Sequence, residues 1–507
     1  MFDLLLKDAS FITMDEQNPQ VRWIAVSDGI ISAMGNSNDL PTAREVVSFN
    51  NMTVFPGFID SHVHGTLTGE FLNSADLNGV NTKKGVLDAI AEKSNASTGI
   101  ITAGCFSKED YQGPMFTSHD LDEIRDDVII LIYDKSYHGC YLNTKGLEAA
   151  KIEIGMPGAV VLNGELTGEL SDDTTYYSAI NNLMLNIDQS VIEDYMAKTS
   201  KFALSKGVTT IHSLDGADYG VDMPIWITEK DKIDLQVVNY WETLDVSKAI
   251  EYEQKQVGGC ICLDGTRVLR TMALSKPYQD DSSTRGILYY SDMDILKFVR
   301  SANENNMQCA MHATGTRCID QYIYLLRQVI MEQGQKHLRH RIEHFSYPSE
   351  EQIEMAVELE LALPMQPIFP KIWDEGPNSL YKQRFGIEEA AKIEPIADVI
   401  RAGGIVCGGS DSPVTTMSPL DGIDASVNTD NVHRKLSVKD AIKLFTVNGA
   451  WAGHEDAIKG SLEIGKQADL VVLDKNPFEF EKEIKDIKVM KTFVKGKEVF
   501  SSADCNS

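Results

Sequence analysis

The sequence predicts an α/β chain, with a parallel barrel in the middle and one small sheet domain assembled from both ends. Three observations carry this. The apolar run Phe55-Pro56-Gly57-Phe58-Ile59-Asp60-Ser61 ends in His62-Val63-His64. Three later segments each bring a ligand-type side chain to the end of a strand-like or apolar run: Met307 to His312, His340 to His344, and Ile405 to Pro413. The first 55 and last 45 or so residues read as short strands and turns, whereas the middle alternates strand-like with helical stretches.

Taken in order, Phe2 to Leu6, Phe11 to Met14, Trp23 to Val26 and Ile30 to Met34 are apolar clusters between polar turns, which predicts strands. Asp469 to Asp474 and Ile487 to Val499, broken by Lys495-Gly496-Lys497, read the same way. These ends, 1–55 and 447–507, are expected to form the sheet domain. The middle, 56–446, holds candidate strands at Val128 to Tyr133, Gly207 to Ser213, Leu235 to Trp241, Met307 to His312, Leu361 to Met365 and Ile405 to Gly408. Helices are expected at Asp292 to Glu304, Ile319 to Glu332, Ser349 to Glu360 and Val438 to Phe445, the last capped by Ser437. Residues 65–200 are too many for one βα connection, so an insertion with its own helices over the barrel mouth is expected there.

Composition narrows the function. A chain of 507 residues with a formal net charge of −28 disfavours nucleic acid and anionic membrane as partners. No apolar run approaches the length of a membrane span. The N-terminus lacks a basic region followed by a long apolar stretch, and the eight cysteines show no disulfide rhythm. A reducing cytoplasm is the simplest compartment.

The chemistry is carried by few residues. On a strand, side chains two apart share a face, so His62 and His64 can reach one metal ion from one strand end. A lone histidine after a strand is more often structural. His312, before the Gly315 turn, and His344, closing Arg341-Ile342-Glu343-His344, gain weight as ligands from the first pair. Asp411, in Gly409-Ser410-Asp411-Ser412-Pro413, is either a turn aspartate bonded to local backbone or a carboxylate that binds metal and moves a proton. Together they suit a hydrolytic metal site at strand ends.

Five segments in order resemble the amidohydrolase superfamily, and within it the YtcJ-like amidohydrolase family 3, the group containing N-substituted formamide deformylases. They are Pro56 to His64, His312 to Gly315, Arg341 to His344, Gly409 to Pro413, and Gly460 to Leu470. The resemblance spans nearly the whole chain. It implies a distorted (β/α)8 TIM barrel with a small β-sandwich domain formed by both termini. It also implies a divalent metal, zinc foremost, as one or two ions. His138-Gly139 followed by Asn143 is similar to the family's His-containing loop. Asp172 falls where that family usually ends a segment in Glu. Leu263 to Tyr278 is similar to its long loop before the first lone His.

Two positions depart from the family pattern. Where relatives place a Lys, four residues before Asp264-Gly265, this chain has Cys260: either a thiolate ligand or a small buried side chain. Thr316 stands where the family usually has Asp before Arg317.

The resemblance implies hydrolysis of a C–N bond in a small amide, cyclic amide, or N-acyl or N-formyl amine, with Asp411 as proton shuttle. His138 or His344 would polarise the carbonyl. Asp172, Tyr278, Arg317 and Arg341 are carried as substrate contacts, with Arg270 and Arg384 as further candidate anchors. A deaminase on the same fold is one rival, although such enzymes carry Glu where this chain has Gly315. A metal-binding protein without catalysis is the other. A homodimer is common among such enzymes and is carried forward as the assembly.

Overall fold

The computed structural model describes residues 1–94, 100–135, 137–184, 187–216, 220–376 and 379–502. They divide into two compact units, one of Met1–Val63, Ser200–Leu214 and Lys230–Ser507, the other of His64–Thr199 and Asp215–Glu229.

The first unit is built on eight parallel strands. In chain order they are β1 (Phe58–Val63), β2 (Val208–Asp215), β3 (Gln236–Trp241), β4 (Gln256–Val257), β5 (Gln308–Ala313), β6 (Arg341–His344), β7 (Ala362–Met365) and β8 (Ile405–Gly408), and they neighbour one another in that order. A parallel bridge between Val63 and Ser412 closes the last strand on the first. This is the distorted (β/α)8 barrel that the sequence implies. All residues of β1, β5, β6 and β7 are buried, as expected of parallel strands covered on both faces. The distortion is greatest at β4, which has two residues and leads into a long irregular loop over 258–291.

Local sequence explains the helices between strands. Asp292–Glu304 starts where the Ser291 side chain accepts from Asp294 N, and it buries Ile295, Phe298, Val299 and Ala302 as one stripe. Ser349 and Gln352 form a reciprocal capping box on Glu350–Glu358, and Ser437 caps Val438–Leu444 as expected. The helix expected from Ile319 begins at Thr316, because Gly315 already serves as its N-cap.

An additional eight-stranded sheet joins the two ends of the chain. Thr53–Pro56 from the N-terminal side pairs antiparallel with Leu470–Leu473 from the C-terminal side. The two strands expected at Phe2 to Leu6 and Phe11 to Met14 are one strand, Phe2–Ile12, with a register shift between Lys7 and Phe11 and Asp8 at φ 59°. The polar interruption in the sequence is a bulge rather than a turn. Leu4, Leu6, Phe11, Ile24, Phe49, Leu470 and Phe493 share the core of this sheet.

The second unit has helices, as expected of the insertion, and also a six-stranded sheet that was not foreseen. Its strand order is Ala159–Leu162, Glu165–Leu170, Cys140–Leu142, Ile129–Asp134, Ile100–Phe106 and Ala75–Asp76. The strand expected at Val128 to Tyr133 therefore belongs here and not to the barrel. The shorter strands carry too few consecutive apolar residues to announce themselves. Val86, Ile101, Phe106, Phe116, Ile130 and Tyr141 form this unit's own core. Among the described residues no helix is long and apolar enough to cross a membrane.

Candidate metal centre

The ends of β1, β5, β6 and β8 and the loop after β4 bring His62, Cys260, His312, His344 and Asp411 together within the first unit. Two overlapping triads, His62/His344/Asp411 and Cys260/His312/His344, each have their ligand atoms within 4.8 Å of one another.

On β1, Asp60 and His62 face the same way. Asp60 Oδ1 accepts from Ser410 N (2.9 Å), which ties β1 to the turn after β8. Burial pushes the Asp60 carboxyl up to about 6. His62 Nδ1 donates to Glu343 Oε2 at 2.6 Å, and its Nε2 lies 3.3 Å from Asp411 Oδ1. Burial alone would lower the His62 pKa; Asp411 and Glu343 outweigh it and raise it.

On β6, Arg341 and Glu343 share a face by strand alternation. The next residue would turn away, but His344 has φ 69°, outside the strand region. Its imidazole thus joins the same cluster, 4.7 Å from the His62 ring by centroid. His344 Nδ1 donates to Gln366 Oε1 (2.8 Å), and Nε2 lies 3.6 Å from Cys260 Sγ. Burial, then His312 and His62, hold the His344 pKa well below its ordinary value, so the ring is a neutral donor. His312 Nδ1 is 3.8 Å from the same sulfur. Burial, with Cys262 and Glu242 nearby, pushes the Cys260 thiol well up.

Asp264, a landmark in the sequence and no more, organises the loop after β4. Its carboxylate accepts from Ala273 N (2.8 Å), Thr314 N (3.0 Å) and Gly315 N (2.9 Å), fastening that loop to the turn that follows His312.

These distances fit a divalent ion. Glu343 is held below the usual carboxylate range, because Arg341 and His62 outweigh its burial. It can therefore only accept, which puts a proton on His62 Nδ1 and leaves Nε2 as the ring nitrogen that faces the Asp411 carboxylate. An imidazole nitrogen and a carboxylate oxygen on one tetrahedral zinc-sized ion are about 3.3 Å apart, and an imidazole and a thiolate about 3.6 Å. The His62–Asp411 and His344–Cys260 separations match both figures.

The remaining expected site residues have these local surroundings. His64 follows Val63 directly and opens the second unit as the N-cap residue of Gly65–Asn73. His138 also belongs to the second unit, with its ring edge-on to Tyr177 at 6.3 Å. Arg317 Nη2 donates to Gly286 O (2.9 Å). Arg270 and Arg384 both pair with Asp280.

Three expected substrate contacts have partners within the protein. Arg341 is fully buried and bonded to Glu343, Ser61 O and His212. Tyr278 is buried, its hydroxyl donating to Met272 O (2.8 Å). Asp172 accepts from Thr174 N (3.0 Å) and Thr175 N (3.3 Å) at the start of the helix Asp173–Met184. Each of these side chains takes part in local structure. Glu343 and Gln366, which orient the ligand rings, were missed. The signal available for Glu343 was two opposite charges, at 341 and 343, on one face of a buried strand.

Barrel, terminal sheet and donor set together define the class of metal-dependent hydrolases. The profile of the amidohydrolase family matches residues 45–500, and the chain belongs to that family, in its YtcJ-like group. It is 28% identical over 533 residues to a Bacillus subtilis (strain 168) protein described as an amidohydrolase, YtcJ, covering 97% of this chain and 98% of that one. It is 23% identical over 543 residues to the N-substituted formamide deformylase of Arthrobacter pascens, covering 98% of each. Among solved structures, an uncharacterized metal-dependent hydrolase from Pyrococcus horikoshii OT3 superposes with a TM-score of 0.79 at 23% identity, covering 94% of this chain and 99% of that one.

Proposed function

We propose that this chain is a zinc-dependent amidohydrolase that cleaves the C–N bond of a small amide, cyclic amide, or N-acyl or N-formyl amine. The observation that carries this is the convergence of two overlapping ligand triads, His62/His344/Asp411 and Cys260/His312/His344, with His62 Nε2 facing the Asp411 carboxylate at 3.3 Å. His62, His64, Cys260, His312, His344 and Asp411 hold the cation, as one or two ions. A divalent cation there supplies Lewis acidity and brings the pKa of a water down to roughly 7. Asp411 takes the proton of the attacking water and returns it to the leaving nitrogen. His138 is the candidate for polarising the carbonyl. We place the enzyme in the cytoplasm, acting on a small molecule as a homodimer, with no nucleic-acid or membrane partner.

The deaminase reading loses support at Gly315. A Cβ there would lie 2.1 Å from Ala273 O, so the position that bears Glu in such enzymes accepts no side chain here. The relative named as an N-substituted formamide deformylase supports placing N-substituted formamides first in the assay. The test is turnover on a panel of formamides, N-acyl amines and cyclic amides, with metal content measured on the same sample. Hydrolysis of at least one class, lost on chelation and restored by zinc, is the expected result. A metal-loaded sample inert to the whole panel would favour the non-catalytic reading.

A further inference from the structure

Behind the candidate ligands runs a chain of buried side chains that the proposed reaction does not itself use. Glu343 receives Arg341 through two contacts, Nε to Oε1 at 2.6 Å and Nη2 to Oε2 at 2.9 Å, while Oε2 also takes His62 Nδ1 at 2.6 Å. The guanidinium gives two further donors to Ser61 O (2.7 Å) and His212 Nδ1 (2.9 Å), and it lies 4.0 Å over the Tyr240 ring. Arg341, Glu343, His62, His212 and Tyr240 are all fully buried.

Proton positions along this chain follow from donor chemistry. An arginine never accepts, so His212 Nδ1 must be the acceptor and its ring proton sits on Nε2. Bonded to two arginine donors, the Glu343 carboxylate can only accept from His62, so the His62 proton sits on Nδ1. Ser61 precedes His62, so the same guanidinium also grips the backbone that carries the ring.

We propose that Glu343 and Arg341 are positioning residues which hold a proton on His62 Nδ1 and fix the angle of the ring, directing its Nε2 toward the cation position that Asp411 faces. The role of the cation rests on the metal-dependent reading above; the ring assignment does not. A carboxylate behind a ligating histidine is commonly worth roughly 10–100-fold in metal affinity. Arginine makes this carboxylate tolerable in a dry interior, since an unpaired one would be costly. The bidentate fork also sets its plane, which a lysine could not.

Two measurements test this. In apo wild-type protein, long-range proton–nitrogen NMR correlations on labelled histidine, assigned with His62→Gln, read which ring nitrogen carries the proton. A proton on Nδ1 is expected, and a ring that carries its proton on Nε2 alone would overturn the proposal. Competition with a chromophoric chelator then compares wild type with Glu343→Gln and Arg341→Lys. Glu343→Gln should weaken the more labile ion roughly 10–100-fold, with Arg341→Lys in the same direction. Affinities within threefold of wild type in folded variants would also overturn it. A wild type that shows Nδ1–H yet holds no divalent metal would sink the metalloenzyme reading while supporting the ring assignment.

Discussion

The backbone N–H of Asp411 bonds to the carbonyl of His62 at 2.8 Å, so the residues that help close the barrel are also the two whose Oδ1 and Nε2 face each other at 3.3 Å. Barrel closure and ligand spacing are therefore one structural event. Asp411 achieves it at φ 57°, a backbone conformation that asparagine and aspartate tolerate better than most side chains. Damage to the turn at 409–413 should consequently register in metal content as well as in stability.

Replacing His62 and His64 together by alanine should strip metal from the protein. Elemental analysis of the double variant against wild type checks it, with circular dichroism to confirm the fold. Unchanged metal content would reject the ligand assignment of both.

Asp411→Asn keeps the size of the side chain and its place in the turn but removes the base. Turnover should fall on the order of 10²–10⁴-fold. The turnover number is measured on samples matched for metal. Activity within threefold of wild type would rule out the proton-shuttle role.

Cys260 lies 3.6 Å from His344 Nε2 and 3.8 Å from His312 Nδ1. As a ligand it should resist alkylation when metal is bound and become reactive after chelation. Cys260→Ser should lower metal stoichiometry while the ion between His62 and Asp411 persists. Equal alkylation rates with and without metal would leave Cys260 as packing.

His340 predicts a pH dependence of stability away from the metal. Its Nδ1 accepts from Cys309 N at 3.1 Å, and burial, with His454 adding, lowers its pKa to about 4. The unfolded chain binds this proton near the ordinary value of about 6.5, so the unfolded state carries more protons between the two values. Stability should fall as pH drops through that window, by about 3 kcal/mol at most from this residue. His340→Gln should flatten the fall in Tm between neutral pH and the acid end of the window. Identical slopes in the two proteins would remove His340 as a contributor.

Gly315→Ala tests the argument against deamination. The added Cβ meets the Ala273 carbonyl at 2.1 Å, so the loop held by Asp264 must shift. A loss of about 1–3 kcal/mol is expected, as for overpacking in a filled core. Unchanged thermal stability would show that the turn can accept a side chain.

The local elements were legible in the sequence because they depend on near neighbours. Ser437 declares a cap by its place before Val438, and the buried strands declare themselves as short apolar runs. His62, His312, His344 and Asp411 stood out because each follows such a run. What remained hidden depends on residues far apart in the chain. Arg341 reads as a candidate substrate contact until the fold sets Glu343, Ser61 and His212 around it. Gln366 carries no motif, and only the closeness of β6 and β7 brings it to His344. The order of ring protons in His62 and His212 is likewise fixed by hydrogen-bond partners that no local pattern names. Sequence determined which side chains could bind a cation. The closed barrel decided which of them face each other, since only tertiary packing converts separations of hundreds of residues into contacts of a few ångströms.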